Sequence, residues 1–131
     1  MANAQAVLVY ETELPIPFTV ADGASIEKGD SLQLADNATV SLISGDDQKF
    51  IGIAAEEKVA NDGKTKIAVY MGGIFRVEAA DTCTVGYEAV VKAKNEYEDY
   101  DTLDAEEGKK AGRFLESGTN GEFVLMVLNP K

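Results

Sequence analysis

Short apolar runs, most of them four to seven residues long and bounded by Gly, Asp or Asn, recur along the chain, and this punctuation constrains the fold more than any other feature. They fall at residues 6–10, 31–34, 39–43, 50–54, 65–71, 74–77, 89–93, 113–116 and 122–128. Val, Ile, Phe, Leu and Tyr dominate them, side chains that suit the pleated, half-buried surface of a strand. Gly45-Asp46-Asp47 and Asn61-Asp62-Gly63 carry turn chemistry, because these residues tolerate the positive φ of a tight reversal. Gly118-Thr119-Asn120-Gly121, between Leu115 and Phe123, reads as a hairpin connection. Helical periodicity is weak. The best candidate is residues 102–107, with Asp101 as cap and Gly108 as stop, and residues 54–59 read equally as strand or helical turn. The predicted class is all-β, a small barrel or sandwich with at most one or two short helices.

A chain of 131 residues with 45% hydrophobic content has the size and the apolar mass for a single self-supporting core. Its one cysteine, Cys83, excludes an intramolecular disulfide, so packing must hold the fold. The first five residues lack the basic patch of a signal peptide, the apolar run at 6–10 is too short for its core, and no run reaches the length of a membrane span. Charge narrows the partners. The formal net charge of -11 would repel both a phosphate backbone and anionic lipid, so neither nucleic acid nor membrane is expected as a partner. The same charge reads either as plain solubility or as a match to a basic protein surface.

The residues that usually carry chemistry are scarce. The chain has no histidine, which removes the commonest general acid–base group, leaves Cys83 without an activating base, and excludes Cys/His zinc sites. The segment from Asn95 to Glu107 holds seven acids and no base. Calcium is its sharpest reading, but no glycine follows three alternating acids as in an EF-hand, and a solvated loop fits better. Gly29-Asp30 and Met71-Gly72-Gly73 lack the spacing of phosphate cradles and read as turns or bulges. Lys64 sits in a turn without the flanking residues of a lipoyl or biotinyl carrier site. No catalytic residue, metal site or cofactor is expected.

Two further features concern organisation. Residues 1–20 read as an N-terminal arm ahead of a β domain over 21–131: the start is small and polar, Ala6, Val7, Leu8, Val9 and Tyr10 can form a strand, and Pro15-Ile16-Pro17 opposes helix or central-strand pairing. The alternative is an ordinary edge strand on the same domain. Beyond the arm, an echo links residues 26–77 with 83–128. Each half has a glycine turn entering a strand (Gly29, Gly86), a strand carrying a glycine (Gly52, Gly112) and a final apolar strand, with steps of 57 residues between the turn glycines and 60 between the strand glycines. A glycine inside a strand permits a bulge or sharp bend, and two such units can close on each other as a small barrel or sandwich that hides their edges.

The strings Ile26-Glu27-Lys28-Gly29-Asp30-Ser31-Leu32, Phe50-Ile51-Gly52-Ile53-Ala54-Ala55-Glu56 and Ile67-Ala68-Val69-Tyr70-Met71-Gly72-Gly73-Ile74-Phe75-Arg76-Val77, followed by Val85-Gly86, together resemble the small capsid decoration (cement) proteins of tailed bacteriophages and related viruses. The resemblance spans residues 18–128 and rests on order and spacing. It implies a barrel or tulip-like domain that assembles as a homotrimer on the outer face of an icosahedral capsid, binds the major capsid protein and strengthens the expanded shell, after synthesis in the host cytoplasm. In that family the arm often adds a strand to a capsid sheet, which makes residues 6–10 the capsid-binding arm. Two departures stand out: Tyr87 replaces the aspartate of Gly29-Asp30, and residues 95–110 look inserted. The rival reading is a fibre or adhesin-type module that recognises a host surface or carbohydrate.

Overall fold

The computed structural model describes residues 4–43, 49–100 and 110–130. All regular structure among them is β. Eleven strands are formed: β1 (Val7–Tyr10), β2 (Ile16–Val20), β3 (Ser31–Asp36), β4 (Thr39–Leu42), β5 (Phe50–Ala54), β6 (Lys66–Tyr70), β7 (Gly73–Ala79), β8 (Glu88–Ala93), β9 (Glu96–Asp99), β10 (Lys110–Phe114) and β11 (Phe123–Leu128). Residues 54–59 continue β5 and then bend, without a helical turn. The helix expected at 102–107 and the turn at 45–47 lie outside the described residues.

The strands make two small closed barrels. The first runs β2-β4-β3-β5-β6 and back to β2. In the second, β7-β11-β10-β8-β9 is closed by a β7–β9 pairing. The two orders are the same once each strand is advanced by five. Each barrel has one parallel pair, β2 with β4 and β7 with β9, and its other pairs are antiparallel. Even the irregularities coincide. The register slips at Leu32/Gln33 and at Lys110/Gly112 where the central strands pair, and at Leu34/Asp36 and Val91/Ala93 beside the following hairpin.

The repeating unit therefore spans residues 16–70 and 73–128. It opens one strand earlier than halves drawn over 26–77 and 83–128, because β7 begins the second barrel and does not end the first. Residues 16–20, set apart above within an arm over 1–20, are β2, a stave of the first barrel. Pro17 is tolerated there for a geometric reason. The Thr19 N–H donates to Ala38 O at 3.0 Å, on the side where β4 lies. Two residues back, the Pro17 nitrogen faces that same side, beyond the reach of β4, so no ladder bond is lost. Residues 96–99, read above as part of an insertion, are β9, the counterpart of β4. Only Tyr97 of that acidic run turns inward, so little apolar alternation marks it as a strand.

Two apolar clusters result. Val20, Ile26, Leu32, Val40, Ala54, Ile67 and Val69 fill the first barrel. The larger cluster fills the second barrel with Phe75, Val77, Val91, Tyr97, Phe114 and Met126, and it also takes in Ile43, Phe50, Ile53 and Tyr70 from the outside of the first. The barrels are thus joined by apolar packing; each side chain of this kind, once fully buried, contributes roughly 1.5–3 kcal/mol. A polar clasp adds direction. Asn95, at the β8–β9 turn with φ 62°, accepts the Ser31 N–H on Oδ1 at 2.7 Å and donates from Nδ2 to Asp30 Oδ1 at 2.9 Å. All three residues are buried. Lys58 is the one fully buried cation among the described residues. It donates to Asp22 O at 2.7 Å, Val59 O at 2.8 Å and Asp62 Oδ1 at 2.8 Å, which locks the loop between β5 and β6 across the end of the first barrel.

Candidate partner-binding surface

The N-terminal strand is an addition to a barrel that is already closed. β1 pairs antiparallel with the first half of β7, Val7 opposite Arg76, Leu8 opposite Phe75 and Tyr10 opposite Ile74. The parallel partner β9 takes the second half of the same edge, at Glu78 and Ala79. Ahead of β1, the Ala6 N–H donates to Gly29 O at 3.0 Å, the Ala4 N–H donates to the buried Glu78 carboxylate at 3.0 Å, and Gln5 Nε2 donates to Glu27 Oε2 at 2.6 Å. After it, Glu11 Oε2 accepts the Tyr70 hydroxyl at 3.0 Å; burial, and then this carboxylate, raise the Tyr70 phenol above its usual range.

The five residues expected to carry partner binding therefore divide. Ala6 is buried and Leu8 packs on the core. Val7, Val9 and Tyr10 are 60%, 40% and 65% exposed. Among the described residues no strand pairs with the other edge of β1. An open edge with outward apolar side chains is the geometry that accepts a further strand.

The four glycines singled out from the sequence fall into two matched pairs. A Cβ at Gly52 would stand 2.2 Å from Tyr70 O, and one at Gly112 would stand 1.8 Å from Val127 O. Tyr70 and Val127 are themselves corresponding residues, so each glycine lets a bulged strand cross its neighbour's carbonyl. Gly29 and Gly86 open β3 and β8 with φ of 94° and 89°. All four are scaffold residues.

Sequence reasoning passed over the outer face of β7 and β11. In β11, Val124, Met126 and Leu128 point into the barrel, which turns Phe123, Leu125 and Val127 outward. Register sets Leu125 beside Arg76 and Val7, and Val127 beside Ile74 and Tyr10. The available signal was that 123–128 is apolar without alternation, as in a strand covered on both faces. A cleft of about 570 Å³ lies alongside, lined by residues that include Val7, Leu8, Lys28 and Phe123.

Cys83 is buried, its thiol pushed up to about 12 by burial first and then by the charges of Asp99, Glu98 and Asp81. At neutral pH it is a thiol, and its Sγ lies 3.5 Å from Tyr97 O. Among the described residues no three His, Cys, Asp or Glu side chains are placed to hold a metal ion. Neither a scan against protein-family models nor a search of curated proteins returns a match to this chain.

Proposed function

We propose that this chain is a structural virion protein that binds the outer face of an icosahedral capsid as a homotrimer and stabilises the expanded shell. The observation that supports this most is β1: a strand laid on a completed barrel, its far edge unpaired among the described residues and Val7, Val9 and Tyr10 outward. An open edge offers main-chain hydrogen bonds to a sheet of the major capsid protein, and alternate side chains supply register. The acidic surface suits a shell with basic outer residues. Three such contacts in one trimer act together, so individually weak docking becomes durable. In this reading the protein works through surfaces, without a catalytic step or a cofactor.

The test is to mix purified protein with undecorated, expanded heads and image them. Added density at sites of threefold symmetry is the expected result, and heads left bare at saturating protein would refute the proposal. Deleting residues 4–10 should lower occupancy; undiminished occupancy would take β1 out of the contact.

A further inference from the structure

We infer that the outward face of β7 and β11 is the surface through which copies of this chain bind one another, with the open edge of the neighbouring β1 left to the capsid. The inference rests on the assembly part of the proposed function and identifies the face that serves it. Three observations carry it.

The face is apolar where an isolated barrel would be polar. Across β1, β7 and β11 the register aligns Tyr10, Ile74 and Val127 in one row and Val7, Arg76 and Leu125 in the next. Leu115, whose N–H donates to Leu125 O, extends the second row and is exposed. The first barrel has Pro17, Ala68 and Lys66 where the second has Arg76, Leu125 and Phe123. The large apolar side chains therefore belong to the second barrel, whereas the first has a methyl and an ammonium at the positions of Leu125 and Phe123.

The face is also close to neutral in a strongly acidic molecule. Its charged side chains are Arg76 and Glu116, paired at 3.4 Å, Arg113 beside Val127, and, opposite Phe123, the buried Glu78, which accepts the Ala4 N–H, with Lys28 at the adjoining cleft. Two copies, each of formal charge -11, repel across most of their surfaces. A second copy can approach this face without meeting that repulsion, whereas a basic partner is drawn to the acidic remainder. Charge thus assigns the apolar face to self-contact.

Finally, the relief is suited to docking. Phe123 is 41% exposed and lines the cleft, so the surface offers a recess with an aromatic wall. Aromatic side chains seated in recesses supply much of the binding energy at protein interfaces.

Sedimentation velocity of the free protein over a concentration series, without heads, tests this directly. The expected result is reversible self-association that Leu125→Gln and Phe123→Gln each weaken roughly tenfold or more. Leu34→Gln, at an exposed position on the first barrel, should leave it unchanged. Both tested side chains point outward, and an unchanged circular dichroism spectrum verifies the fold of each variant. A monomer at every concentration, or association indifferent to both substitutions, overturns the inference. Head occupancy is a separate readout: a monomer that still decorates heads would refute the self-contact and leave capsid binding standing.

Discussion

The two barrels share one topology, yet the same row of positions is treated in opposite ways. In the first barrel, Ser31, Ile53 and Tyr70 line up across β3, β5 and β6 and are buried against the second barrel. In the second, Glu88, Arg113 and Val127 occupy the corresponding row, with Arg113 exposed and Lys110 standing where the first barrel has Phe50. Register, bulges and glycines are retained because they close the barrel. Outward side chains change with the neighbour they face. Backbone geometry is thus the constant of the unit, and its outer surface is the variable.

That contrast can be broken most directly at the strand-crossing glycines. Gly112→Ala and Gly52→Ala each drive a Cβ into the carbonyl of a paired strand, so each should destabilise the protein by about 3–5 kcal/mol or prevent folding. Denaturant unfolding measures it. A mild effect at one glycine and a severe one at the other would show that the barrels close differently.

A smaller effect sharpens the comparison. Gly29 and Gly86 share a left-handed φ, but a Cβ at Gly86 meets nothing within 4 Å, whereas one at Gly29 would lie 2.4 Å from Ala6 O. Gly86→Ala should therefore lose about 1 kcal/mol to backbone strain alone. Gly29→Ala should lose about 2–3 kcal/mol, because the residues before β1 must also shift. It should further raise protease cleavage ahead of residue 10, and equal losses at the two sites would mean that the Ala6–Gly29 contact contributes nothing.

The smallest expected change concerns the barrel interiors. Tyr97 holds the position of Val40, and its buried hydroxyl has no hydrogen-bond partner among the described residues; burial, then the nearby Asp30 charge, raise its pKa well above the usual phenol range. Tyr97→Phe removes an unsatisfied polar group while keeping the edge-on contact with Phe50, whose centroid lies 6.1 Å away. The variant should be equal in stability or more stable by up to about 1 kcal/mol. A loss above that range would reveal a partner for the hydroxyl.

Much of this was legible in the sequence where apolar runs met turn residues. β3 to β8 and β11 fall on such runs, and the glycine steps of 57 and 60 follow the repeat. The change of step has a simple origin. The connection from β9 to β10 is three residues longer than that from β4 to β5, and the one from β10 to β11 is three shorter than that from β5 to β6. Two staves were hidden. β2 carries Pro17 on an edge that only the assembled barrel shows to be free, and β9 has Tyr97 as its one inward side chain. For the candidate surface, residues 6–10 were recognisable as a strand, but which side chains turn outward depends on β7, about seventy positions further along. The outward face of β11 was written as an unbroken apolar run, and only its place as a stave of the second barrel shows that Phe123 is exposed and Leu125 and Val127 are half-buried.

Placing the first strand on the later barrel also orders events on the ribosome. The nascent chain has every stave of the first barrel once Tyr70 has emerged, while β1 must wait for β7 before it has anything to pair with. β1, made before the first barrel, is therefore captured only after that barrel's staves are complete, and until then it is an unpaired apolar strand that a neighbouring polypeptide could claim.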